Sequence, residues 1–242
     1  MSEGQKFEIP PKSNEPQNIE SVLENWEISS VNKLKGHLPI SVVRIKDDGV
    51  ALFRPEATVG NNPYGNFERG IHRIQLELLA YKIDKILGFN LVPEVVLRQI
   101  NNQNGIMQRF VDDATVACDM LDWEECVDHA ELLKAAIFDH LINAQDRAQR
   151  NFLVNPGTGK IWLVDHDQFM MNKESLFGSR IIEEAKQKNL IELSEELAVS
   201  VGQLIDSIET LLAEANDNTE LKIILKKIEV RAKALLEQKR IV

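Results

Sequence analysis

Residues 146–167 read DRAQRNFLVNPGTGKIWLVDHD, and the way this stretch folds decides the reading of the rest. Two short apolar runs, NFLV (151–154) and IWLV (161–164), flank the loop NPGTGK (155–160). Apolar runs bounded by Gly, Pro and Asn read as a β-hairpin. Asp146, Asn151, Asp165 and Asp167 stand at its ends. With Thr158 at the centre, Phe152 faces Val164, Leu153 faces Leu163 and Val154 faces Trp162; Asn151 and Asp165 are the next pair outward. Opposed residues of antiparallel strands lie about 5 Å apart. This register predicts an amide oxygen and a carboxylate at the mouth of the hairpin, with Asp146 close by. Hard divalent cations such as Mg²⁺ take oxygen ligands and accept one or two protein groups plus phosphates. Asn and Asp are also ordinary strand-end residues that make local turns, so spacing alone leaves both readings open.

The segment before the hairpin narrows the choice. A helix is expected over 128–144, capped by Asp128, with Leu132, Leu133, Ala136, Ile137 and Leu141 as its buried stripe. A helix leading into D-x-x-x-x-N, then a hairpin, then Asp is the order of the catalytic and metal-binding elements of protein kinases.

Upstream, EISSVNKL (27–34), ISVVRI (40–45) and VALF (50–53) read as strands. The turn Asp47-Asp48-Gly49 between β-branched runs is a hairpin signal. PEATVGNNPYGN (55–66) is turn-rich. A helix over about 68–87 carries Leu76, Leu79, Ala80, Ile83, Ile86 and Leu87 at helical spacing, with Gly88 placed to end it. LVPEVVLRQI (91–100) and GIMQRFV (105–111) add two strands around the turn NNQNG. Beyond the hairpin, roughly 174–240 reads as helical, broken at NDN (216–218). The last helix carries Leu221, Ile224, Leu225, Ile228, Leu235 and Leu236 on one face, for packing within its own domain. The expected division is a flexible segment over 1–24, a strand-rich lobe over 25–112 and a helical lobe over 113–242.

Bulk properties exclude several classes. The chain has 242 residues, 43% of them hydrophobic, and a net charge of −10 from 38 acidic and 28 basic side chains. That balance argues against nonspecific nucleic-acid or anionic-membrane binding. Cys118 and Cys126 form neither a CxxC motif nor a zinc-finger spacing and read as thiols of a reducing compartment. The first residues lack an apolar signal core, and no run reaches membrane-span length. The expectation is a cytoplasmic protein.

Four stretches then carry a family resemblance: ALFRPE (51–56) followed by NPYG (62–65); ERGIHRIQLELLAYKIDKILGFNLVP (68–93); GIMQRFV (105–111); and FDHLINAQDRAQRNFLV (138–154) with IWLVDHDQF (161–169). Over roughly residues 30–170 the chain resembles the atypical kinase clan. That clan includes type II phosphatidylinositol 4-kinases, HipA-type kinases and secreted Golgi casein-type kinases. The chain is most similar to small bacterial phosphatidylinositol 3-/4-kinase-like members. The resemblance implies an α+β, two-lobed protein-kinase-like fold. A small antiparallel-sheet lobe with one key helix would precede a mainly helical lobe, with ATP and Mg²⁺ (or Mn²⁺) as cofactors. By the resemblance, Asp146 is the catalytic aspartate, which orients the acceptor and takes its proton. Asn151 and Asp165 are the metal ligands. Glu77 holds the phosphate-binding cation, and Gln108 to Phe110 run near the adenine pocket.

Some positions depart from the pattern. Arg54 stands where the family has a strand lysine, and a forked guanidinium does not replace a compact ammonium. Lys33 and Lys35, near the expected phosphate loop, are candidates to compensate. That loop has only Gly36. Ala148 follows Asp146-Arg147 where a histidine or glycine is usual, and Asp167 stands where glycine is expected. Asp167 reads either as a further ligand or as a turn residue, with the turn favoured. His166 reads as a polar group behind the metal ligands or as a structural histidine. Arg147 reads as a partner of an active-loop carboxylate or as an ordinary ion pair.

The expected activity is ATP- and metal-dependent phosphoryl transfer to a protein hydroxyl rather than a lipid, since an acidic chain without a basic amphipathic helix binds membranes poorly. The alternatives are a pseudokinase or nucleotide-sensing module, a lipid kinase, an AMP transferase on the same fold, and a plain structural domain.

Overall fold

In the computed structural model, residues 18–33, 40–45, 49–56, 73–166 and 178–241 are described. The class is α+β: a five-stranded antiparallel sheet followed by a mostly helical remainder. The chain divides into two compact units, Met1–Asn62 with Glu94–Asp112 and Pro63–Pro93 with Asp113–Val242.

The first unit holds α1 (Ile19–Asn25) and the strands β1 (Ile28–Lys33), β2 (Ser41–Ile45), β3 (Gly49–Pro55), β4 (Val95–Ile100) and β5 (Gln103–Arg109), in the order β1-β2-β3-β5-β4. All five expected strands are present. Strand alternation sorts their side chains into two faces. Val43, Ile45, Ala51, Phe53, Val96 and Met107 line one, where Leu23 of α1 packs among them. Asn18 caps α1 by accepting from the N–H of Glu20 (3.1 Å). Arg98 ties the helix down by donating to the carbonyls of Leu23 and Trp26. Residues 19–24, expected at the end of the flexible segment, are therefore structured, because Leu23 has an apolar sheet face to cover. The turn at Asp47-Asp48 lies outside the described residues, as do most of 55–66.

The second unit holds α2 (Arg73–Leu87), β6 (Thr115–Val116), α3 (Trp123–Cys126), α4 (His129–Ile142), β7 (Phe152–Val154), β8 (Ile161–Leu163), α5 (Arg180–Gln187), α6 (Glu195–Glu214) and α7 (Thr219–Gln238). The strand-rich lobe expected over 25–112 includes α2. The stripe of Leu76, Leu79, Ala80, Ile83 and Leu87 instead belongs to the large core built by α4, α6 and α7. Gly88 ends α2 at φ +68°, the left-handed conformation that glycine adopts without penalty. Asp128 caps α4 through the N–H groups of Ala130 (2.8 Å) and Glu131 (3.1 Å). Asn218, in the NDN break, caps α7. Ile224, Leu225, Ile228 and Leu235 of α7 are buried in the core of this unit, with Leu221 and Leu236 packed against it.

The hairpin forms with a register one residue away from the expected one. Phe152 opposes Leu163, Leu153 opposes Trp162 and Val154 opposes Ile161. Asn151 therefore faces Val164, whose N–H donates to the Asn151 carbonyl (3.1 Å), and Asp165 lies one residue beyond. Opposed residues share a face, and the observed register pairs the buried Phe152 and Val154 with the buried Leu163 and Ile161. The expected register would have set buried Leu163 against half-exposed Leu153. The turn agrees with the core: Asn155 bonds Lys160 across it, and the Asn155 side chain accepts from Gly157 (2.9 Å) and Thr158 (3.0 Å). Gly159, at φ +72°, lets its carbonyl meet the N–H of Asp128; a Cβ there would lie 2.5 Å from that nitrogen.

The outer edge of β8 is held from α2. Asp84 Oδ2 accepts from the N–H of Leu91 and of Val92 (2.9 Å each), and the Leu91 carbonyl accepts from Leu163 (2.8 Å). Burial, only partly offset by those two N–H groups, pushes the Asp84 carboxyl up from 3.8 to about 6. The folded state therefore holds this proton more tightly than the unfolded chain does. The stabilisation is complete below the unfolded value and is lost as pH rises through the folded one. Asp84→Asn keeps the acceptor and removes the titration. Between pH 4 and pH 7 the stability gap between wild type and Asp84→Asn is expected to move by about 2–3 kcal/mol in favour of the variant, since a tenfold difference in proton affinity is worth about 1.4 kcal/mol. Urea unfolding at several pH values measures it, and a gap independent of pH contradicts the assignment.

Candidate active site

Helix α4 ends at Asn143, whose left-handed φ of 51° turns the chain toward Asp146. A single turn of 3₁₀ helix at Gln149–Asn151 then delivers Asn151 to the start of β7. The buried Asn151 donates through Nδ2 to the Asp146 carbonyl (2.6 Å) and lies 3.4 Å from its carboxylate. That commits the nitrogen of the amide and leaves Oδ1 as its end for ligation. Arg150 grips both oxygens of Asp146, at 2.6 and 2.8 Å.

Asp165 follows β8 at φ +61°, a conformation unusual for a residue other than glycine. Asp146 and Asp165 line one recess, together with Ile142, Ala144, Gln145, Arg147 and His166. Its volume of about 10 Å³ suits a water molecule or an ion.

Two buried clamps hold this recess. The first is Arg147. Its Nε donates to both oxygens of Asp139 (3.1 and 3.2 Å), and one terminal nitrogen donates to the carbonyls of Asn151 and Val164 (2.7 Å each). A single guanidinium thus staples the hairpin mouth between the two expected ligands. Asp139, fully buried on α4, also accepts from the Ser179 hydroxyl (2.7 Å), which in turn caps α5. The second clamp is Glu77 on α2. It accepts from the backbone N–H of His166 and contacts its ring Nδ1, both at 3.1 Å. Burial holds the His166 ring below its usual pKa, with the Glu77 hydrogen bond acting the other way.

Asp139 and Ser179 did not emerge from the sequence. A signal existed for Asp139: it interrupts AAIFDHLI (135–142), a run that is otherwise apolar except for His140. Charge in such a run marks a paired buried group. Ser179 carries no comparable mark.

In the first unit, Arg54 opposes Ile106 on β5, and Gln108 opposes Leu52 on β3. Arg54 and Gln108 therefore share the sheet face opposite Phe53 and Met107. The Gln108 Nε2 is buried and finds no partner among the described residues. Phe110, just past β5, is partly exposed. Lys33 opposes Ser41, which opposes Phe53, so the register sets Lys33 on the other face from Arg54. Lys35 and Asp167 lie outside the described residues.

The candidate ligands are carboxylate and amide oxygens with no sulfur, which suits a hard cation, although Asn151 is not among the residues that line the recess. Among the described residues, no group of three or more His, Cys, Asp or Glu side chains is placed to hold a metal. An ion here would need further oxygen ligands from phosphates or water.

The fold is that of the kinase-like proteins. Among solved structures, the Golgi casein kinase matches 91% of this chain and 73% of its own, at 15% identity and a TM-score of 0.58. The same kinase with Mn and ADP bound matches 91% of this chain and 74% of its own, at 15% identity and a TM-score of 0.55. Hydra Fam20, solved with sugar, matches 91% of this chain and 87% of its own, at 14% identity and a TM-score of 0.53. At such identities the likeness is one of fold. No protein-family model matches the sequence, and neither does any curated protein.

Proposed function

We propose that the protein is an ATP- and divalent-metal-dependent phosphotransferase acting on a protein hydroxyl. One observation carries the reading: Asp146 and Asp165 line a single ion-sized recess, and Asn151 is hydrogen-bonded to Asp146. Asn151 and Asp165 would hold Mg²⁺ or Mn²⁺, which supplies charge neutralisation at the phosphates. Asp146 orients the acceptor hydroxyl and takes its proton. By the family resemblance, Arg54 is assigned to the phosphates in place of the usual lysine, and Gln108 and Phe110 to the adenine. Catalysis then comes from positioning and electrostatics, with no covalent intermediate on the protein.

Support for nucleotide and metal comes from the like-folded Golgi casein kinase, solved with Mn and ADP. Support for a protein acceptor over a lipid comes from the net charge of −10, which disfavours an anionic membrane surface.

A second reading, nucleotide binding without turnover, has its own observation. Arg150 occupies both oxygens of the proposed base, and Arg54 replaces the family's lysine. ATP labelled at the γ- or the α-phosphate separates the readings. Incubation with Mn²⁺ and a cell lysate is expected to transfer γ label to protein, and Asp146→Asn to reduce that transfer by about 10²–10⁴-fold. Transfer of α label indicates AMP transfer, γ label in lipid indicates a lipid kinase, and metal-dependent binding without transfer indicates the pseudokinase.

A further inference from the structure

The left-handed backbone of Asp165 is strained for a non-glycine residue and persists only where its surroundings over-determine it. Both neighbouring residues are held. The Val164 carbonyl accepts from Arg147, and the His166 N–H donates to Glu77 Oε1 while the ring meets Oε2. Glu77 and His166 are 1% and 2% exposed. A carboxylate only accepts, which puts the ring proton on Nδ1. The other ring nitrogen, Nε2, is buried with no partner among the described residues. An orphaned buried polar atom destabilises the fold, so packing alone would favour a nonpolar side chain here. The ring instead gives Glu77 a second bond at the peptide that follows Asp165.

We infer that His166 is a positioning residue: with Glu77 it fixes the peptide after Asp165 and so aims the Asp165 carboxylate at the divalent cation. The inference rests on the phosphotransferase reading of the site. It gives Glu77 a task beyond the one implied by the family resemblance, since both of its oxygens serve the metal-binding loop.

The test is the apparent Mn²⁺ dissociation constant of the full chain at saturating ADP, read from thermal stabilisation as Mn²⁺ is titrated. His166→Phe keeps a ring beside Phe138, whose centroid lies 5.9 Å away, but removes the donor to Glu77. It is expected to weaken Mn²⁺ binding by about 10–100-fold, the range for groups that orient metal ligands. His166→Asn, whose amide donates in place of Nδ1, is expected to recover most of the loss. The melting temperature in EDTA reports folding, and His166→Leu repeats the test if the phenylalanine variant does not fold. An unchanged Mn²⁺ constant in a folded Phe or Leu variant overturns the inference and leaves the phosphotransferase reading standing. A wild-type chain whose ADP binding ignores Mn²⁺ overturns both.

Discussion

Replacing Arg147 with methionine is expected to lower the unfolding free energy by about 3–5 kcal/mol, the range for breaking one side of a buried ion pair. Asp139 is 0% exposed, and Arg147 is its only cationic partner among the described residues. Without it the carboxylate keeps the Ser179 hydroxyl, but its charge is uncompensated in the core. The carbonyls of Asn151 and Val164 lose their guanidinium donor in the same step. Arg147→Lys keeps a charge but cannot fork to reach all three partners, so an intermediate loss is expected. Removing both charges with Arg147→Met and Asp139→Leu is expected to cost less than Arg147→Met alone. Denaturant unfolding measures all three variants. A loss below about 1 kcal/mol for Arg147→Met, the range of exposed pairs, contradicts the buried-clamp account.

Replacing Asp165 with glycine is expected to abolish metal-dependent transfer, by at least about 10²–10³-fold, while changing stability by less than about 1 kcal/mol. The two effects separate because the residue stands at φ +61°. Glycine adopts that conformation freely, so folding gives up a side chain but is relieved of strain. Phosphoryl transfer loses the main carboxylate of the proposed ion site. Asp165→Ala removes the same carboxylate and keeps the backbone strain, so it is expected to be the less stable of the two. Label transfer and thermal unfolding on both variants check the pair of claims. Transfer that survives in either variant refutes the site assignment. A glycine variant much less stable than the alanine one refutes the strain argument.

The legible parts of this protein are those where one local period meets one boundary residue. Helix α4 shows a stripe and an Asp128 cap, and both form; the five strands of the sheet show β-branched runs between turn residues, and all five form. The hairpin is legible as a hairpin but not in its register. Two apolar runs of similar strength permit either pairing, and the choice is made by tertiary burial of Phe152, Val154, Ile161 and Leu163. Residues 19–24 read as flexible for a related reason. Their surroundings in the sequence are polar, and only the sheet face that receives Leu23 makes a helix worthwhile there.

The candidate site divides the same way. Asp146, Asn151 and Asp165 lie within one short stretch at recognisable spacing. The clamps draw on residues far apart in sequence, with Glu77 joined to His166 across 89 positions and Asp139 to Ser179 across 40. No local pattern links them. Neither the left-handed backbone of Asp165 nor the choice of Asp146 as Arg150's partner is written in spacing.

The most direct measurement of the central claim is the anomalous signal of Mn²⁺ in crystals soaked with Mn²⁺ and a non-hydrolysable ATP analogue. The account predicts a peak within about 2.0–2.6 Å of a carboxylate oxygen of Asp165 and the side-chain oxygen of Asn151, bridging to the phosphates. Nucleotide bound with the peak elsewhere, or with Asn151 and Asp165 turned away from it, would contradict the account.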